Sequence, residues 1–148
     1  MDSAIDRLLS TAKTIAIIGM SNKPERDSFK VAQYLQAQGY RILAVNPMLA
    51  GTEIAGEYCY ASLQAAQQAT GLSIDIVDCF RKAEDIPVIV EEAIAVQAKA
   101  LWMQLDIINQ AAADSASKAG LEVVMDRCTK IEHKRWLAQI EASNGASD

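Results

Sequence analysis

The chain has 148 residues, 51% of them apolar, and a formal net charge of −5. That length favours one domain with a real core, the apolar content excludes a disordered chain, and the acidic balance argues against nucleic-acid binding by broad electrostatics. Three cysteines without paired spacing read as reduced thiols of a cytoplasmic protein, and no apolar run approaches the roughly 20 residues that span a bilayer.

Residues 1–13 are amphipathic and mixed in charge, without the basic start and apolar run of a signal peptide. Thr14–Gly19 is short, β-branched and apolar on both faces, the pattern of a buried parallel strand. Asp27 or Ser28 is placed to cap a helix that ends at Gly39, with Val31, Ala32 and Leu35 on its inner face. Arg41–Pro47 is the second strand, stopped by Pro47, and Leu72–Phe80 is the third. Ala83–Lys99 follows as a helix, with Ile86, Ile89, Val90, Ala93 and Ile94 at helical spacing and Pro87 tolerated near its first turn. Ala100–Gln104 is the fourth strand, residues 109–120 a helix closed by Gly120, and Leu121–Asp126 the fifth strand. A helix over Ile131–Ala142 packs on the end, and the tail from Ser143 to Asp148 frays. This alternation predicts a single α/β domain over residues 1–148: a doubly wound parallel sheet of about five strands with helices on both faces. A ligand then belongs at the carboxyl ends of the strands, near the switch point.

Five segments reach that edge: 19–28, 46–48, 80–84, 103–106 and 126–130. Gly19 lets backbone approach a ligand, and the helix that follows offers free N–H groups and a positive dipole end to phosphate. Ser21 and Ser28 add hydroxyls; Lys23, Arg26 and Lys30 add charge. The competing reading is a solvated loop before a capped helix, since neither G-x-G-x-x-G nor a P-loop is present. The second strand ends in Asn46-Pro47, where an NAD site usually carries an acid; neutral Asn46 leaves room for NADP or another ribose phosphate, or is simply a turn. Arg81 is a fixed cation suited to phosphate and Phe80 an apolar wall, or else a solvated Arg beside a core Phe. Trp102 and Gln104 share a face; Gln104 is suited to bonding an amide if it meets the cleft, whereas Trp102 reads as core. Cys59, Cys79, Cys128 and His133 are too scattered for a metal site, and Cys128 with His133 is the one conceivable nucleophile pair.

Taken in order, AIIGMS with Arg26 and Ser28, then VNP, DCFR, WMQL and DRC with EH.R, resemble the small stand-alone CoA-binding proteins. These are similar to the CoA-binding domain of the succinyl-CoA synthetase alpha subunit. The resemblance covers about residues 8–136. It implies a Rossmann-like fold holding coenzyme A across the strand ends. Gly19, Met20, Ser21, Arg26 and Ser28 would form the diphosphate loop, and Asn46 and Pro47 would lie by the ribose phosphate and adenine. Phe80 and Arg81 would line the nucleotide side, and Trp102, Met103 and Gln104 would flank the pantetheine. Asp106 stands where that pattern has glycine, and an acid there is expected either to narrow the thiol end of the pocket or to repel an acyl carboxylate.

The resulting expectation is a binder of coenzyme A or an acyl-CoA without chemistry of its own, with a small-molecule ligand and neither nucleic acid nor membrane as partner. The larger synthetases use a phosphohistidine and a nucleotide-grasp domain; His133 falls in the terminal helical region, outside any recognisable equivalent of that histidine loop, and no segment of these residues reads as the second domain. Two alternatives stand beside it: a minimal NADP-binding reductase, and a thiol sensor in which Cys128 forms a mixed disulfide with CoA.

Overall fold

Thr14–Ile18 (β1) forms the middle of the sheet because it presents no face to water: all five residues are buried. The computed structural model describes residues 2–146. Asp2–Thr11 (α1) precedes β1, and Asp27–Ala37 (α2) returns the chain to Arg41–Val45 (β2), parallel to β1. After a 3-10 turn over Pro47–Leu49 comes a hairpin, Glu53–Ile54 (β3) and Glu57–Tyr60 (β4), and then Leu63–Thr70 (α3). Ile76–Cys79 (β5) pairs with the other side of β1, followed by Ile86–Ala95 (α4), Ala100–Met103 (β6), Gln110–Lys118 (α5), Glu122–Val124 (β7) and Thr129–Ala146 (α6).

The sheet order is β3-β4-β2-β1-β5-β6-β7, parallel except for β3 against β4. Strand alternation divides the core in two. Ala16, Ile18, Leu43, Val77, Leu101 and Met103 pack on α3, α4 and α5. Ile15, Ile17, Ile42, Ile76 and Trp102 face α1, α2 and the Trp136 side of α6. The expected doubly wound architecture is present, with the switch in strand order between β1 and β5.

The sheet has seven strands, not about five. The two extra strands are the β3–β4 hairpin. Its turn is Ala55-Gly56, both at positive φ (51° and 80°), and Ala carries none of the sequence signal of Asn-Gly or Asp-Gly. Helix α3 also lies outside the expected elements; Ser62 caps it, its Oγ accepting from the Ala65 N–H at 3.1 Å, and Gly71 closes it in the left-handed region. The third strand starts at Ile76 rather than Leu72, because the Asp75 carboxylate takes the N–H groups of Lys13 and Thr14 at 2.8 and 3.0 Å. Helix α4 ends at Ala95, not Lys99, where Gln97 turns to φ 58°. Helix α6 runs past Ala142 to Ala146, and the rest of the tail expected to fray lies outside the described residues. Among the described residues no helix is long and apolar enough to cross a membrane.

Candidate functional site

Where β1 and β5 diverge at their carboxyl ends, two turns come together. Gly19 leaves β1 at φ 84°, a conformation that disfavours any side chain. A Cβ there would stand 2.6 Å from the Phe80 carbonyl oxygen and 3.0 Å from Arg81 Cδ. The loop that follows is tied to itself and to α2: the Ser21 N–H donates to Ser28 Oγ at 3.0 Å and the Lys23 N–H to Ser21 Oγ at 3.1 Å. The N-cap of α2 is Arg26, with no side-chain hydrogen bond, rather than Asp27 or Ser28. Ser28 is buried and its hydroxyl is engaged by the loop, so the N–H groups of the first turn of α2 keep no side-chain cap.

Three cavities meet around these turns. One, of about 440 Å³, is lined by Gly19, Ser21, Lys23, Arg26, Asp27, Ser28 and Phe80. The largest, about 590 Å³, is mostly apolar and shares Phe80; its walls include Val31, Leu105, Ile107, Ile131, Gln104 and Cys128, with Lys30, Lys82 and Lys130. The third, about 290 Å³, shares Gly19 and Arg81 and extends over Val45, Pro47 and Ala61, with Glu84, Asp85 and Glu92 beside it. Phe80–Arg81 is therefore the ridge along which the three join. Arg81 is 44% exposed at its side chain and meets Asp85 at 3.3 Å, a solvated pair of the kind that adds little to stability.

The expected site residues take different parts. Gly19, Ser21, Arg26, Ser28, Pro47, Phe80, Arg81 and Gln104 line the trough. Met20, Trp102 and Met103 have no exposed surface and line none of the three cavities: Met20 and Trp102 belong to one core cluster and Met103 to the other. The Trp102 indole N–H donates to the Arg127 carbonyl at 2.7 Å, which ties β6 to the segment before α6. Asn46 spends its amide inside the protein, donating to the Met20 carbonyl at 2.9 Å and accepting from the Met48 N–H at 3.0 Å, so it joins the two loops. Asp106 does not line the large cavity between Leu105 and Ile107; it sits at φ 68° and its N–H donates to Asp126 Oδ1 at 2.7 Å. The left-handed backbone accounts for a glycine being suited there, and the side chain does not narrow the pocket.

Cys128 and His133 do not form a pair. Cys128 lines the large cavity, whereas His133 lines a separate one with Leu9, Lys13 and Tyr40. The His133 Nδ1 meets the Tyr34 hydroxyl at 2.8 Å, its ring packs edge-on against Tyr34, Tyr40 and Trp136, and burial pushes its pKa down. Among the described residues no three His, Cys, Asp or Glu side chains gather as a metal site. The apolar walls Leu105, Ile107 and Ile131 were outside the expected set, because they come from loop and helix-start positions where hydropathy has no periodic partner.

A glycine turn at the switch point, a helix start without a side-chain cap and an adjoining apolar chamber are therefore brought together at the carboxyl edge of the sheet, where open α/β sheets hold their ligands. Comparison with known proteins agrees. The family model of the CoA binding domain matches residues 13–134, and the chain belongs to that family. YneT of Bacillus subtilis, an uncharacterised protein, is 34% identical over 129 residues, 87% of this chain and 91% of its own. A solved protein of Thermus thermophilus is 37% identical with a TM-score of 0.84, covering 92% of this chain and 98% of its own. A hypothetical protein of Pyrococcus horikoshii OT3 is 38% identical with a TM-score of 0.84, covering 93% of this chain and 92% of its own.

Proposed function

We propose that the protein binds coenzyme A or an acyl-CoA in the trough at the carboxyl ends of the strands, and acts as a binding module. The observation that carries this reading is the junction of the Gly19 loop with an apolar chamber at one ridge, Phe80–Arg81. The diphosphate lies over Gly19–Ser28, where the backbone N–H groups at the start of α2 and the cations Lys23, Arg26 and Arg81 meet its charge. The pantetheine arm runs past Phe80 into the 590 Å³ chamber, toward Gln104 and Cys128. The adenine end turns toward Pro47, where Glu84 and Glu92 suit an exocyclic amine better than a further phosphate. The chain's own residues suit the ligand: Gly19 lets the first loop close against the Phe80–Arg81 ridge, Lys23 and Arg26 border the loop cavity beside Asp27, and the arm-side chamber combines apolar walls with Lys30, Lys82 and Lys130.

Calorimetric titration of nucleotide-stripped protein with CoA, adenosine 3′,5′-bisphosphate and NADPH tests this. CoA is expected to bind most tightly, with the bisphosphate weaker because it lacks the arm. Absence of CoA binding at millimolar ligand, or NADPH binding more tightly than CoA, would overturn the reading.

A further inference from the structure

Behind the apolar chamber lies a hydrogen-bonded chain that reaches the middle of the sheet. Gln104 is 5% exposed and lines the chamber. Its Oε1 accepts from the Thr129 backbone N–H at 3.0 Å. A backbone N–H only donates, so this contact decides the orientation of the amide: Oε1 faces the protein and Nε2 is left on the chamber side. Among the described residues Nε2 has no hydrogen-bond partner. The Thr129 hydroxyl lies between two oxygens, Gln104 Oε1 at 3.1 Å and Asp78 Oδ2 at 3.0 Å. One hydroxyl hydrogen does not serve two acceptors. Both contacts are hydrogen bonds at once only when Asp78 is the neutral acid, its O–H donating to Thr129 Oγ1 and the Thr129 O–H to Gln104 Oε1; an ionised Asp78 takes the Thr129 hydrogen for itself. Asp78 is fully buried on β5, and that burial pushes its pKa up to about 8, against a smaller downward pull from the Thr129 bond. Its Oδ1 has no partner, a lighter cost for a neutral carboxyl than for a carboxylate.

We propose that Asp78 and Thr129 are positioning residues that hold Gln104 with its NH2 group toward the chamber, which makes the chamber selective for a ligand bringing a carbonyl acceptor: a pantetheine amide or an acyl thioester. The proposal rests on the CoA reading above. The same chain explains why a carboxyl stands in an otherwise apolar strand with no charged partner. A chamber amide free to turn would accept as well as donate; one fixed through Thr129 only donates.

The test compares CoA with adenosine 3′,5′-bisphosphate, which lacks the arm, in four variants. Thr129→Val removes the chain with little change in volume, and Asp78→Leu removes it with a bulkier apolar side chain; Asp78→Asn and Thr129→Ser keep a donor at each place. The first two are expected to weaken CoA binding by about three- to ten-fold, the loss of one neutral hydrogen bond, and to leave the bisphosphate unchanged. The second two are expected to keep the wild-type ratio. Equal weakening of both ligands would show a merely structural role and overturn the proposal, as would an unchanged ratio in Asp78→Leu and Thr129→Val. The wild-type protein supplies a measurement independent of variant folding. The Gln104 side-chain amide resonances, assigned by their loss in Gln104→Leu, are expected to shift with CoA and not with the bisphosphate. Resonances that stay in place in the presence of bound CoA would overturn the positioning role alone. A wild-type protein that binds neither ligand would overturn the CoA reading itself.

Discussion

Gly19 sets the geometry of the site at the scale of one residue. Its φ of 84° and the 2.6 Å approach of an added Cβ to the Phe80 carbonyl act together, because the neighbour that would have to move is the ridge shared by the cavities. Gly19→Ala is expected to lower stability by about 1–2 kcal/mol, the cost of a left-handed alanine, and to weaken CoA binding by more than ten-fold as Phe80–Arg81 shifts. Urea unfolding and calorimetry check the two effects separately; unaltered affinity would place the ligand away from the ridge. The turn at Gly19 is legible in the sequence, where a glycine ends an apolar β-branched run before a polar loop. The role of Asp78 is not. A carboxyl in LSIDIVDCF shows only that something must satisfy it, and its partner Thr129 lies 51 residues away.

At the scale of elements, α2 and the loop before it behave as one unit. Ser28 belongs to the helix, but its hydroxyl takes the N–H of Ser21, so the first turn of α2 holds the loop in shape while its own N–H groups stay open to a ligand. Ser28→Ala is expected to weaken CoA binding by about five-fold, equivalent to about 1 kcal/mol, with a small change in melting temperature. A variant that binds as wild type would show that the loop keeps its shape without the serine. The strands β1, β2 and β6 are legible because parallel strands in mid-sheet are apolar on both faces. The hairpin β3–β4 is not, since its strands have two and four residues and its turn is Ala55-Gly56. Helix α3 escapes because the run LQAAQQAT buries only Leu63 and Ala66, too few for a periodic signal. The trough itself was expected at the strand ends, but its apolar chamber depends on how Leu105, Ile107 and Ile131 converge from separate segments.

For the molecule as a whole, the buried acids give stability a particular pH dependence. In the unfolded chain an aspartate releases its proton near about 3.9, whereas folded Asp78, desolvated by burial, holds it up to about 8. The folded state therefore binds the extra proton between these values, and this group's contribution to stability falls as pH rises through that window. Asp75 works in the opposite sense. Burial raises its pKa, but the N–H groups of Lys13 and Thr14 and the Lys99 ammonium outweigh this, so its net shift is downward. Its stabilisation is present above the unfolded value and lost in acid, below the range that matters for Asp78. Urea midpoints between about pH 5 and pH 8 are expected to decline less in Asp78→Asn than in wild type, since asparagine carries no proton to lose. Parallel curves for the two proteins would show that Asp78 is ionised in the fold. The rims of the sheet carry a different consequence. One ends in the two residues of β3, turned against the direction of the rest, and the other in the three residues of β7, where Glu122 is clasped by Arg7 from α1 at 2.8 Å. Neither rim offers a foreign strand a template long enough to extend, so the fold is guarded against fibrous growth at both borders.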